Sequence, residues 1–345
     1  MRRLRIPLAL TIVATLGLAA CSTGGDNPAG TASSSSAPNG TITVYSGRSE
    51  DLVGPLFEQF TEATGIGVNA RYGDSAELAA QILDEGANSP ADVFFAQDAG
   101  ALSAVAAAGQ FTELSQAQLD AVPDAYRSPN GYWVGVSARA RVVVYNTDAV
   151  NADEVPDTVD GFTDAKWAGR VGWAPSNGSF QAFVTALRVI EGEDAAAAWL
   201  EAMEANNTQA YEKNTAIVAA VASGEIDAGL VNHYYLYQYL AENPNAPVAN
   251  KFLTSGAGAL VNVAGVGILT TTANASGAAS FVDFLLSPDA QTYFATETFE
   301  YPVVPGSPAP EGLPPLTTIG IPGLDLNRLE DLAGTLELLQ AKGVV

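Results

Sequence analysis

The chain has 345 residues, enough for one large domain or two, and its 48% of hydrophobic residues excludes an intrinsically disordered protein. Asp and Glu outnumber Lys and Arg by 38 to 15, and the resulting net charge of −23 argues against a nucleic-acid-binding function. The only cysteine is Cys21, which excludes an intramolecular disulfide. Composition therefore indicates a folded, strongly acidic protein.

The first 40 residues are predicted to export and anchor the protein. Three arginines among the first five residues precede an apolar run at 6–18, the charge layout of a secretory signal, and this run is shorter than a membrane-spanning helix. The run ends in Leu18-Ala19-Ala20-Cys21, which resembles the bacterial lipoprotein signal, in which the cysteine is lipidated. The alternative is an ordinary signal peptide that leaves a free thiol. We predict a signal peptide at 1–20, then lipidated Cys21 and a flexible tether at 21–40.

Strands and helices are predicted to alternate in the first part of the body. Segments rich in β-branched and aromatic residues predict strands at 41–45, 67–72 and 92–96. Apolar residues at helical spacing predict helices at 51–64, where Gly65 ends the pattern, and at 75–83. This order predicts a parallel sheet with right-handed crossovers.

The same order repeats later in the chain. Strands are predicted near 169–173 and 226–231, and helices near 180–189, 193–203 and 215–222. Two extended segments, 132–145 and 260–269, are long enough to cross between two lobes. We therefore predict two lobes with a hinge, in which 41–138 plus 265–310 form lobe 1 and 139–264 plus 311–345 form lobe 2.

Two adjacent tyrosines, Tyr234 and Tyr235, follow the strand-like segment 226–231, and Asn232 suits the turn before a helix. At a helix N-terminus the unpaired N–H groups and the dipole favour negative charge, so a phenolate is less costly there than the ordinary phenol pKa of about 10 suggests. Two phenolates suit a hard, highly charged cation such as Fe(III). The alternative is that the tyrosines of this stretch pack the helix against the core. Leu236, Tyr239 and Leu240 are the predicted packing face.

Four segments resemble bacterial ferric-ion-binding proteins, the extracytoplasmic solute receptors of ABC importers. They are Ile42-Thr43-Val44-Tyr45-Ser46-Gly47-Arg48, Ser89-Pro90-Ala91-Asp92-Val93-Phe94-Phe95, 137–145 and 224–235. The resemblance covers nearly all of the chain after the tether, and the tyrosine pair is its most specific part.

The resemblance implies an α/β protein of the two-lobed periplasmic-binding-protein type II fold. Two α/β domains are joined by two crossing strands, with a ligand cleft between them. Such a receptor binds Fe(III), or a small ferric chelate, and delivers it to an ABC permease without performing chemistry on it. We expect a monomer that is held to the outer face of the cell membrane by its lipid alone and binds no nucleic acid.

The resemblance also implies which residues bind the metal. Tyr234 and Tyr235 match the iron-binding tyrosines of the family, and Tyr145 matches a third tyrosine used by its tyrosine-rich members. From its place at the end of the segment 132–145, we expect the Tyr145 side chain to point into the cleft. The alternative is an aromatic residue at a strand end that packs on a neighbour.

Other members use a histidine and a glutamate at positions where this chain has Ser49 and Gln97, so the tyrosine-rich subclass fits better. Glu50 and Gln97 are the secondary candidates as metal ligands, and for Glu50 the alternative is a solvated acid at a helix start. His233, the sole histidine, is expected to form hydrogen bonds or lie at the surface rather than bind the metal.

An anion is expected beside the metal. The loop Pro175-Ser176-Asn177-Gly178-Ser179 lies between a predicted strand and a predicted helix, so its N–H groups and hydroxyls form a plausible anion nest. In the family the matching loop, together with Asn214 and Asn232, helps to hold a synergistic anion, carbonate or phosphate, of which we expect carbonate. Arg48, Arg139 and Arg141 offer guanidinium groups for the anion, with surface ion pairing as the alternative.

Rival functions lack their usual residues. One histidine, no cysteine beyond Cys21 and no Gly-x-Ser-x-Gly motif argue against acyl transfer and zinc hydrolysis, so no enzyme is expected. A secreted glycoside hydrolase, which needs two carboxylates, is the remote alternative. A nearer alternative is a receptor of the same fold for thiamine, a polyamine or a phosphonate, in which the tyrosines would form an aromatic box.

Overall fold

The computed structural model describes residues 40–320 and 324–345. The predicted signal peptide, the lipidation site Cys21 and nearly all of the predicted tether lie outside these described residues. Within them, none of the helices is both long and apolar enough to span a membrane.

Ten strands and eleven helices alternate along the described chain. The strands are β1 (Thr41–Ser46), β2 (Gly67–Tyr72), β3 (Val93–Ala96), β4 (Val134–Asn146), β5 (Val171–Trp173), β6 (Gln209–Ala210), β7 (Ala228–Asn232), β8 (Val248–Phe252), β9 (Val261–Ile268) and β10 (Tyr301–Pro302). The helices are α1 (Glu50–Thr64), α2 (Ser75–Glu85), α3 (Ala99–Ala107), α4 (Gln116–Asp120), α5 (Gly178–Glu191), α6 (Glu193–Ala205), α7 (Asn214–Ser223), α8 (Tyr234–Glu242), α9 (Ala275–Leu285), α10 (Pro288–Thr296) and α11 (Leu332–Ala341).

The first half of the structure is built on β1, β2 and β3, which pair in parallel as predicted. Helix α1 covers this sheet with its apolar stripe, of which Val53, Leu56 and Phe60 are buried. It ends at Gly65, which adopts a left-handed conformation at φ 73° that a side chain would disfavour. Strand β9 then joins β3 in antiparallel fashion and completes the sheet on that side.

Strand β4 connects the two halves. Its residues from Val134 to Ala140 pair with β9, and Ser137 and Ala138 also pair with β10. From Arg141 onward its partners change to β7 on one edge and β8 on the other. The backbone N–H of Arg141 donates to the carbonyl of Leu260, just before β9 begins. Both predicted crossing segments are therefore confirmed, and they meet at Ala140 and Arg141.

The second half repeats the α/β arrangement around the end of β4, with β5, β6 and β7 in parallel. One face of β4, with Val143 and Tyr145, belongs to the main core cluster, which also contains apolar residues of α5 and α6. The other face, with Val142 and Val144, belongs to a smaller cluster beneath α7 and α8. A sheet covered on both faces explains why every residue of β4 and β7 is buried.

The two-lobe division at 138/139 and 264/265 stays a prediction, since the described residues cluster as one unit through the paired strands β4 and β9. The sequence predicts that the C-terminal segment, 311–345, belongs to lobe 2. In the structure α11 packs on α5 of the second half, and the short helical turn Leu326–Leu329 before it packs mainly on α3 of the first half. This segment therefore contacts both halves.

Candidate metal centre

The tyrosine pair lies where β7 ends and α8 begins. Asn232 is the last residue of β7 and Tyr234 is the first of α8, so the predicted position at a helix N-terminus is confirmed. Tyr234 is fully buried, whereas Tyr235 is partly buried and lines a cleft of about 640 Å³. The two ring centroids are 4.2 Å apart. The two phenols are therefore adjacent, with Tyr235 lining the cleft and Tyr234 buried behind it.

The remainder of α8 packs the helix in the predicted way. Leu236 is buried in the smaller core cluster, and Tyr239 and Leu240 are partly buried against it. Tyr235 and Tyr237 also pack against this cluster, whereas Tyr234 belongs to neither core cluster. Membership of a core cluster therefore does not explain Tyr234.

Several buried polar atoms around the pair have no hydrogen-bond partner within the described part of the chain. They are the hydroxyl of Tyr234, Nδ2 of Asn232, Oδ1 of Asn214, and both Nη1 and Nη2 of Arg139. Buried polar groups are nearly always hydrogen-bonded, so such a group of unpartnered atoms needs an explanation. A cation bound to the phenolic oxygen, with an anion accepting from the N–H groups of Asn232 and Arg139, would satisfy all of them except Oδ1 of Asn214, which is an acceptor. The residues present therefore fit a metal with an anion.

Three buried arginines surround the tyrosines, and surface ion pairing is thus the wrong interpretation for them. Arg48 follows β1, and its guanidinium carbon lies 5.7 Å from the ring centroid of Tyr234. Arg139 and Arg141 lie on β4 at the crossing point. Arg141 donates to the carbonyl of Leu230 at 3.0 Å and to Oγ of Ser179 at 3.4 Å.

Burial is the largest cause of the pKa shifts of Arg139, Arg141 and Tyr235 at this point. Burial lowers the pKa of Arg139, while the oxygen of Tyr234 opposes the shift. Burial and the charge of Arg139 lower the pKa of Arg141 to about 9, which still leaves it charged at neutral pH. Burial and the neighbouring Tyr234 raise the pKa of Tyr235 well above its usual value, and Arg48 opposes that shift. The buried positive charges favour a bound anion, and the charge of Arg48 offsets part of the cost of burying a phenolate at Tyr235.

The predicted anion loop lies at the N-terminus of α5. Asn177 caps this helix, because its Oδ1 accepts from the backbone N–H of Ser179 at 3.0 Å. Asn214, the first residue of α7, donates through Nδ2 to Oδ1 of Asn177 at 3.1 Å and to Oγ of Ser179 at 3.3 Å. The N-termini of α5, α7 and α8 thus converge near the tyrosine pair, and helix N-termini favour bound anions.

The cleft has two walls. We call Tyr235, Ser176 and Asn177 the second-half wall, and Ser49, Glu50 and Gln97 the first-half wall. On the first-half wall, Ser49 and Glu50 are exposed at the start of α1, and Gln97 is buried after β3. All six residues line the same cleft, so Glu50 and Gln97 face the position of the tyrosine pair as the secondary ligand prediction requires.

Tyr145 does not join the pair, which corrects its predicted place in the cleft. It lies opposite Ala228 in the register of β4 and β7, whereas Arg141 lies opposite Asn232. Arg141 and Tyr145 are four residues apart on β4, which corresponds to about 13 Å along the strand. Tyr145 is also buried in the main core cluster, on the face of β4 turned away from α8. The cleft meets β4 at its crossing point in mid-strand, and the strand end lies inside the second half.

His233 is fully buried and uses both ring nitrogens in hydrogen bonds. Nδ1 accepts from the backbone N–H of Ala140 at 3.1 Å, and Nε2 donates to the carbonyl of Phe299 at 2.8 Å. Burial lowers the pKa of His233 to about 4, so the ring is neutral at physiological pH. The predicted hydrogen-bonding role is confirmed, and the surface alternative is wrong.

Two buried carboxylates near the site were missed from the sequence. Glu300 pairs with Arg48, and Asp98, the cap of α3, lies close enough to Arg139 to interact with its charge. Burial raises the pKa of Asp98, and its hydrogen bond from Ala101 and the charge of Arg139 oppose that shift. Among 38 acidic residues in an acidic chain, no local pattern distinguishes these two.

Known proteins resemble the chain along most of its length. The family described as bacterial extracellular solute-binding protein matches residues 88–325. The Fe(3+)-binding periplasmic protein of Serratia marcescens is 34% identical over 88% of this chain and 90% of its own. Iron-bound HitA from Pseudomonas aeruginosa superposes with a TM-score of 0.84 at 32% identity, over 88% of this chain and 99% of its own. The IdiA (FutA) protein of Trichodesmium, in complex with iron and citrate, gives a TM-score of 0.74 at 33% identity over the same shares.

Proposed function

The chain belongs to the family of bacterial extracellular solute-binding proteins, and from that premise we propose that it is an extracytoplasmic receptor for Fe(III). Its fold is the two-lobed type II periplasmic-binding-protein fold of its structural relatives. The ion binds in the cleft through the phenolate oxygens of Tyr234 and Tyr235. The family is one of solute-binding proteins, and we assign no catalytic residue.

The observation that carries this proposal is the side-by-side arrangement of the two phenols among buried positive charge. Their rings are 4.2 Å apart at the N-terminus of α8, and the hydroxyl of Tyr234 has no partner among the described residues. The helix dipole and the nearby Arg48 favour the negative phenolate. A trivalent hard cation is the ligand that best matches two adjacent phenolates.

A synergistic anion completes the coordination of the iron in this proposal. The loop Ser176–Ser179 at the start of α5 supplies N–H groups and hydroxyls, and Asn214 and Asn232 contribute amide groups beside it. Arg139, with two unpartnered Nη atoms within the described residues, and Arg48 supply positive charge. The guanidinium of Arg139 can bind carbonate or phosphate, and we propose carbonate because the tyrosine-rich members that the sequence resembles more often use it. Iron could equally enter with a small chelating anion that takes the same place.

Delivery to an ABC permease is the proposed outcome of binding. The motif Leu18-Ala19-Ala20-Cys21 supports a lipid anchor, so that the receptor works as a monomer at the outer face of the cell membrane. The tether from Cys21 to Gly40 is rich in small and polar residues and would leave the body free to meet the permease.

The test is a titration of the purified protein with Fe(III) citrate. Phenolate bound to Fe(III) gives a visible charge-transfer band, so the protein is expected to become coloured and to saturate at one iron per chain. The double variant Tyr234→Phe/Tyr235→Phe should give no band. Tyr239→Phe is the matched control, since it removes a hydroxyl from the packing face of the same helix.

A wild-type protein that develops no band at any excess of iron would overturn the metal assignment. The same-fold receptor for thiamine, a polyamine or a phosphonate would then be the better proposal, because an organic ligand produces no such band.

A further inference from the structure

A buried ion pair lies directly behind the tyrosine pair. Nη2 of Arg48 donates to Oε2 of Glu300 at 2.7 Å, and both side chains are at most 1% exposed. The two residues are 252 positions apart in the chain. Oε2 of Glu300 also accepts from Oγ1 of Thr298 at 3.1 Å, which fixes the carboxylate from its own segment.

The other side of the Arg48 guanidinium faces Tyr234 at 5.7 Å from the ring centroid. Arg48 follows β1, and Glu300 directly precedes β10, so both belong to the first half, whereas Tyr234 belongs to the second. The Arg48 backbone is also held, because its N–H donates to Oγ of Ser46 at 3.2 Å. The guanidinium is thus placed between a carboxylate of one half and a phenol of the other.

The guanidinium of Arg48 keeps its buried position because the carboxylate of Glu300 pairs with it. A buried charge without a partner is costly, and Arg139 brings a second positive charge close to it. Burial has the largest influence on the pKa of Arg48 and lowers it, but the charge of Glu300 together with Tyr234 and Tyr235 outweighs burial and raises this pKa. Glu300 is fully buried and does not itself line the cleft, and it reaches the cleft only through Arg48, which does.

We propose that Glu300 is a positioning residue of the iron site, which holds Arg48 against Tyr234 and thereby sets iron affinity and the electronic state of the phenolate. This inference rests on the proposed role of Tyr234 as an iron ligand. Groups that orient metal ligands without touching the metal typically contribute 10-fold to 100-fold, roughly, to metal affinity.

The experiment is a double-mutant cycle with Glu300→Gln, Arg48→Gln and both together. Each single variant is expected to weaken Fe(III) binding, measured by competition with a chelator, on the order of 10-fold to 100-fold. The double variant should lose no more than Arg48→Gln alone, because Glu300 acts through Arg48. The charge-transfer band should move to longer wavelength in all three variants. A positive charge beside the phenolate lowers the energy of its donor orbital, so loss or displacement of that charge lowers the energy of the transition.

Glu300→Asp and Glu204→Gln serve as further variants. Glu300→Asp keeps the charge but withdraws it by one methylene, so a positioning role predicts a partial loss of affinity and a partial band shift. Glu204→Gln removes an exposed carboxylate from α6 and should leave affinity and band unchanged. Circular dichroism and the melting temperature of the iron-free proteins establish that each variant is folded.

The proposal is overturned if folded Glu300→Gln keeps wild-type affinity and band position, or if the losses of the two single variants add in the double variant. If Glu300→Gln does not fold, Glu300→Asp decides, and wild-type behaviour there would refute positioning. A wild-type protein without any band refutes the iron-binding function instead, so the two failures are distinguishable.

Discussion

The two walls of the cleft differ in what they can offer a metal. The second-half wall presents Tyr235, with the fully buried Tyr234 behind it, and the converging N-termini of α5, α7 and α8. The first-half wall presents Ser49, Glu50 and Gln97, and Arg48, Asp51 and Asp74 of the same half also line the cleft. Glu300 is buried behind Arg48 and pairs with it. Capture of iron and anion is therefore expected to depend mainly on the second half.

The largest effect should come from the tyrosine pair itself. Removing a ligand should cost more than removing a group that only orients one, so Tyr234→Phe and Tyr235→Phe are each expected to weaken Fe(III) binding by more than about 100-fold. Tyr145→Phe should leave binding unchanged, because Tyr145 lies in the core about 13 Å along β4. Chelator competition measures all three, and loss of the band in Tyr145→Phe would restore that residue as a ligand.

Acidification should produce the next largest effect. Because burial and Tyr234 raise the pKa of Tyr235, its hydroxyl is protonated in the iron-free protein at neutral pH, and iron must displace that proton. Affinity should then fall about tenfold per pH unit for every proton displaced as the pH decreases.

The measurement is the amplitude of the visible band at fixed iron and chelator from about pH 8 to about pH 6, corrected for protonation of the chelator. Affinity that stays constant over this interval would contradict phenolate ligation.

A smaller effect is expected from the amide groups of the second half. Asn214→Ala removes the hydrogen bonds to Asn177 and Ser179 and one group offered to the anion. An affinity loss on the order of tenfold is expected, in line with the cost of leaving buried polar groups unpaired. Titrations with and without added carbonate separate the two roles. If Asn214 acts through the anion, the difference in affinity between variant and wild type should become smaller when both proteins are titrated without carbonate.

The smallest effect should come from the first-half wall. Glu50 is exposed at the start of α1, and the hydrogen bond that Gln97 makes to Ser75 uses its backbone N–H. Glu50→Gln and Gln97→Ala are each expected to change affinity by less than about threefold. A loss comparable with that of Tyr235→Phe would show that this wall also supplies a ligand, and the asymmetry of the walls would then be refuted.

Much of the fold was predictable because its signals are local. The limits of β2 follow from the alternation of apolar and polar residues. The end of α1 follows from Gly65, which adopts the left-handed conformation of a helix cap. The tyrosine pair at the start of α8 and the anion loop at the start of α5 follow from strand-to-helix transitions. Helices α9 and α10 were not predicted, although Asn274 caps α9 and Ser287 followed by Pro288 begins α10.

The sequence by itself determined the α/β order, the crossing segments and the candidate phenols, because capping and periodicity depend on residues within a few positions of one another. The position of Tyr145 in the core and the burial of the three arginines are seen only in the folded structure. The folded structure also shows that Glu300 faces an arginine 252 residues away. These facts depend on strand register and on which chain segments meet at the crossing point, and such long-range pairings leave no local pattern in a single sequence.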